Sequence, residues 1–150
     1  SFLSFVQHHF TTNGKAIEDE AVHMTYHLFE GNTYYLQKTF RTTFSETEQG
    51  QTAGKQHVTD IIQQMMDDNS HLYGEVLSRL TLSQKELLYA IAKERRARQI
   101  TSGAFIRHHH LQSASSVQAA TKKLLSYGLL STENGEYYID DQLMRLWLLH

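Results

Sequence analysis

The sequence predicts a mainly α fold in two parts, a helical bundle over residues 1–80 and a second helical domain over 81–150 that carries a two-stranded β-hairpin. Three observations carry this expectation. Apolar residues recur three or four apart through most of the chain, the spacing that one buried helix face requires. Proline is absent from all 150 residues, which favours helices over a loop-rich sandwich. After Gly128 the period falls toward two around Glu133-Asn134-Gly135-Glu136, whose central pair tolerates the positive φ of a tight hairpin.

Taken in order, Val6 with Phe10, and then Ile17, Ala21, Met24 and Leu28, predict two helices separated at Asn13-Gly14. Glu30-Gly31-Asn32 is the next break, followed by a helix with Tyr35, Leu36, Phe40 and Phe44 inward. The polar stretch from Ser45 to Gln56 reads as a loop. Val58, Ile61, Ile62, Met65 and Met66 mark a further helix, and Leu72, Val76 and Leu77 one more, so the first part is a bundle of four or five. In the second part Ser83-Gln-Lys-Glu86 reads as a capping box opening a helix with Leu87, Leu88, Ile91 and Ala92 inward. A short apolar piece around Ala104, Phe105 and Ile106 follows Thr101-Ser102. Ser113 opens a third helix carrying Val117, Ala120, Leu124 and Leu125, and Gly128 stands where a left-handed cap is wanted. Leu129 to Thr132 and Tyr137 to Ile139 form the hairpin strands, and Asp140 or Asp141 caps a last helix with Leu143, Met144 and Trp147, the tryptophan packing back to anchor it. Three helices followed by a hairpin is the order of a winged helix.

Composition narrows the chemistry. With no cysteine, disulfides, thiolate zinc sites, iron–sulfur ligation and cysteine nucleophiles are excluded together. No apolar run approaches the roughly 20 residues of a membrane span, and Ser1 to Phe10 lacks a signal-peptide pattern, so a soluble, cytoplasmic protein without a membrane partner is expected. The formal net charge of -2 speaks against a strongly basic nucleic-acid coat. Both ends read as boundaries within a longer polypeptide.

The segments Leu82 to Ala92, Ser113 to Leu130, Tyr137 to Asp141 and Leu146-Trp147-Leu148 resemble the C-terminal region of prokaryotic AAA-type ATPases, often called archaeal-type ATPases and related to signal-transducing NTPases. In that family they look like the first winged-helix helix, the recognition-type helix, the end of the wing and a closing helix. The first half is similar to the family's helical lid. The resemblance implies that Gly31, Asn32 and Thr33 are the nucleotide-proximal lid segment, with Thr33 where the family usually has proline, and that ATP and Mg belong to a core on the same polypeptide outside this chain.

Other motifs are weaker. Gly50 to Gln56 has three residues between its glycines, Gln56 after Lys55 and no expected strand before it, so it reads as a flexible loop and not a Walker loop. His23 and His27 share a helix face but have no third ligand, and His108-His109-His110 reads as a solvated loop, so no metal site is expected. Lys93, Arg95, Arg96 and Arg98 complement the carbonyl end of the first winged-helix helix. If the third helix meets a nucleic acid or protein partner, Ser115, Ser116, Gln118, Thr121, Lys122 and Lys123 are its exposed face. No nucleophile, base and orienting acid stand together, so no catalysis and no cofactor are expected of this chain. Three readings follow: lid plus winged helix of an ATPase, coupling nucleotide state to an effector; a DNA-binding module; or a protein-interaction domain unconnected with nucleotide.

Overall fold

Ser1 begins the first helix by accepting from the Ser4 amide, and in the computed structural model all residues from Ser1 to His150 are described. They form two units, Ser1–Asp68 and Asn69–His150.

In the first unit α1 (Phe2–Thr12) buries Val6 and Phe10. Gly14, at φ +76°, turns the chain into a two-residue strand β1 (Ala16–Ile17), so Ile17 precedes α2 (Asp19–Leu28) instead of belonging to it. Asn32 caps α3 (Thr33–Glu46), its side chain accepting from the Tyr35 amide at 3.1 Å. The expected loop from Ser45 is shorter than its polarity suggests. It ends in β2 (Thr52–Ala53), which pairs in parallel with β1 and buries Ala53. The core of this unit includes four threonines on α2, α3 and the α3 end. Thr25, Thr43 and Thr47 donate to the carbonyl four residues back at 2.6–2.7 Å, and Thr39 contacts the Met65 sulfur at 3.6 Å. Each hydroxyl is thus satisfied inside the core, as a buried polar group must be.

The two helices expected between Val58 and Leu77 are one, α4 (Lys55–Ser78). The polar run Asp67-Asp68-Asn69-Ser70 suggests a break, but Gln63 and Gln64 donate to Asp67 and Asp68 one turn on, at 3.0 and 2.9 Å. Such pairs four apart support a helix through a solvated stretch.

In the second unit, residues 69–78 of α4 precede α5 (Leu82–Glu94), β3 (Ala97–Arg98), α6 (Gly103–His108), α7 (Ala114–Ser126), β4 (Leu130–Glu133), β5 (Glu136–Ile139) and α8 (Gln142–Leu148). Overlapping capping boxes lie in the segment from Thr81 to Glu86, and the earlier one forms: Thr81 accepts from the Gln84 amide while Gln84 Oε1 accepts from the Thr81 amide. The box expected at Ser83 is therefore displaced by two residues. α7 ends in a Schellman motif, with Leu129 donating to the Leu124 carbonyl, Gly128 to the Leu125 carbonyl, and Gly128 at φ +73°. Asn134 and Gly135, at φ +53° and +78°, make the hairpin turn, and the strands pair Leu130 with Ile139 and Glu133 with Glu136, one residue further toward the turn than expected. The sequence reading has no counterpart for β3, which adds to β5 and gives a three-stranded antiparallel sheet of order β3-β5-β4. Leu87, Leu88, Ile91, Leu124, Ile139 and Leu143 fill the core. Asp141, not Asp140, caps α8 and also accepts from the Tyr73 hydroxyl at 2.8 Å. No helix is long and apolar enough to cross a membrane.

Candidate recognition surface

α7 (Ala114–Ser126) carries the residues expected to face a partner. Ser113 starts it with a second capping box, accepting from the Ser116 amide while Ser116 Oγ accepts from the Ser113 amide. Val117, Ala120, Thr121 and Leu124 are buried, so Ala114, Ser115, Gln118, Ala119, Lys122 and Lys123 face outward. Two of the expected readers are corrected by this geometry. Thr121 lies on the core side, only 8% exposed, with its hydroxyl donating to the Val117 carbonyl at 2.6 Å. Ser116 is half-buried and spends its hydroxyl on the cap. Beside this face, Thr81, Ser83 and Ser116 line an open groove of about 690 Å³ together with Ala119, Lys122 and Lys123.

The hairpin supplies the second part of the surface. Its turn carries Glu133 and Glu136, and Arg98 on β3 lies 3.5 Å from Glu136 Oε2 and donates to the Asn134 carbonyl at 3.2 Å. Arg96 lies over the Tyr138 ring, 3.8 Å from its centroid, at the spacing of a cation–π contact. The basic run is therefore divided: Lys93 lies in the last turn of α5 and Arg95 is its C-cap residue, as expected, whereas Arg96 and Arg98 lie beyond the helix end. That helix ends at Glu94, Arg95 turns the backbone at φ +68°, and Arg96 and Arg98 attach β3 to the wing.

A helix-strand-helix-helix-strand-strand order, with the third helix exposed and the last two strands forming a hairpin, is a winged helix in the second unit. The family model described as probable winged helix domain matches residues 71–150. The chain belongs to this winged-helix family. No curated protein and no solved structure matches it. The winged helix is the basic half of the chain: Asn69–His150 holds ten Lys and Arg against seven Asp and Glu, a formal +3, whereas Ser1–Asp68 holds four against nine, a formal -5.

Outside the winged helix, Gly31 at φ +74° and Thr33 border an open, largely aromatic groove of about 660 Å³ with Phe2, Tyr26, Phe40 and Arg41, while Asn32 is engaged in capping α3. The segment from Gly50 to Gln56 contains β2, a strand that the sequence does not announce, and two of its polar groups meet protein partners. Gly50 donates to the Gly14 carbonyl at 2.8 Å, Lys55 Nζ lies 3.5 Å from Glu20, and a Cβ on Gly54 would sit 3.1 Å from a Glu18 carboxylate oxygen. His23 and His27 are exposed. Within the run 108–110, the expectation of a solvated loop fails at His109, whose side chain is 7% exposed and lies 2.8 Å from Glu94.

Proposed function

We propose that the chain is a non-catalytic coupling module whose winged helix docks a protein partner, the effector of a longer AAA-type ATPase polypeptide, and that the first unit is the lid of that ATPase. The observation that carries the docking assignment is the wing. Phosphate contacts supply most of the affinity of a DNA-binding surface, and here the wing tip is acidic, Arg98 is held by Glu136 and the Asn134 carbonyl, and Arg96 lies over the Tyr138 ring. α7 adds two exposed lysines among small residues, a composition suited to packing against protein. The ATPase parentage rests on the resemblance of the segments around Leu82, Ser113, Tyr137 and Trp147, and on the lid-like half that precedes them. In that parent, ATP and Mg bind to the core, and Gly31, Asn32 and Thr33 lie toward the nucleotide.

The deciding experiment is a fluorescence-anisotropy titration at physiological salt with random and genomic duplexes. The expected outcome is feeble, salt-sensitive attraction without sequence preference; nanomolar, discriminating affinity overturns the docking assignment. A strand and Walker loop encoded upstream of Ser1 test the parentage separately.

The second reading is DNA binding through α7, favoured by the +3 charge of the winged helix and the exposure of Lys122 and Lys123. On that reading, neutralising both lysines lowers the salt slope by about two and weakens binding to all sequences alike.

A further inference from the structure

We propose that Glu94, His108 and His109 form a site for a first-row divalent transition metal, with zinc as the representative ion. One donor atom from each lies within 4.8 Å of the others. His109 is the fixed member. Its ring packs on Phe105 with centroids 4.5 Å apart, its side chain is 7% exposed, and its Nε2 donates to Glu94 Oε1 at 2.8 Å. Consecutive residues of a helix diverge by about 100° and do not share a ligand. His108, however, is the last residue of α6, and His109 is its C-cap at φ -100° and ψ 7°. Beyond the helix end the two rings come together, perpendicular to each other, with centroids 4.7 Å apart.

A tetrahedral ion with bonds of about 2.0–2.1 Å sets its donors about 3.4 Å from one another. The His109–Glu94 pair is already inside that separation, and the remainder is a movement of about an ångström by two exposed side chains, His108 and Glu94. Two imidazoles and one carboxylate form a borderline donor set that selects zinc, nickel or copper over calcium and magnesium, which want more oxygens. His109 coordinates as a neutral ring: the proton that Nε2 shares with Glu94 passes through solvent to the other ring nitrogen. The ion then bridges the last residue of α5 to the end of α6, four residues before the Ser113 cap of α7. It braces the base of the recognition helix, and this consequence is the same whether α7 meets protein or DNA.

The test is calorimetric titration of the whole chain with Zn²⁺ in a non-chelating buffer, together with thermal unfolding. One saturable micromolar site and a rise in Tm with zinc are expected. Because His108 and Glu94 are exposed, His108→Gln and Glu94→Gln keep the fold, which circular dichroism verifies, and each weakens binding by about ten-fold or more. His110→Gln and His27→Gln, outside the cluster, leave the affinity unchanged. The proposal is overturned by the absence of saturable binding in the micromolar range. It is equally overturned by binding that survives His108→Gln and Glu94→Gln, for the ions are then held by other surface histidines.

Discussion

At Gly128 the backbone is left-handed, φ +73°, and no atom lies within 4 Å of the place a Cβ would take. Alanine there meets no steric obstacle, so Gly128→Ala isolates the cost of the conformation, about 1 kcal/mol, and Gly128→Asn costs less because asparagine tolerates the left-handed region. Urea denaturation of both variants checks the size and the order. Trp147 is a different case. The sequence reading anchors the last helix by burying this indole, but the ring is only half-buried: it lies 5.4 Å from Tyr73 and donates to Ser70 Oγ at 3.2 Å, so it joins α8 to the last turns of α4. Core truncations of tryptophan cost roughly 3–5 kcal/mol; for this half-exposed ring a loss of about 2 is expected. An unchanged Tm for Trp147→Ala shows instead that Tyr73 and the Asp141 cap hold α8 without it.

The helix ends give the sharpest test at the level of elements. Thr81→Ala and Ser113→Ala each remove a cap and are expected to lower stability by about 1 kcal/mol. They open different helices, so the double variant should lose close to the sum. Ser83→Ala, at the displaced box, is expected to change stability by less than about 0.5 kcal/mol; a larger loss than that of Thr81→Ala contradicts the observed start of α5. The same elements explain what the sequence allowed to be read. Helical spacing placed α1, α3, α5 and α7, and the Asn134-Gly135 pair placed the wing, because these signals are local. β1, β2 and β3 stayed hidden, since each is two residues long and defined only by a distant partner strand. The buried threonines hid the depth of α3 in the core, because a hydropathy pattern counts Thr39 and Thr43 as polar although their hydroxyls are satisfied locally. The exposure of Ser115, Gln118, Lys122 and Lys123 on α7 is legible from periodicity. Thr121 escapes a polarity-based reading because its hydroxyl is satisfied by the Val117 carbonyl inside the core, and the Glu94–His109 contact joins helices whose approach no spacing rule reveals.

For the whole molecule, the stretch from Gly50 to Gln56 contains the strand β2, and Glu18 and Glu20 lie beside Gly54 and Lys55 where a phosphate loop would need free amides and a cation. The isolated chain is therefore expected to hydrolyse no ATP and to bind ATP or ADP no tighter than millimolar, which titration calorimetry measures; micromolar affinity contradicts it. The charge distribution has a consequence of a more practical kind. A net charge of -2 suggests a protein that an anion exchanger retains and a cation exchanger passes. Resin ligands, however, sense only the surface within a Debye length, about 8 Å at physiological ionic strength and longer in the dilute buffers used for loading. With -5 on one unit and +3 on the other, the chain should bind to both kinds of column at neutral pH, eluting from each at modest salt, so that its chromatographic behaviour reports the two halves separately and not their sum.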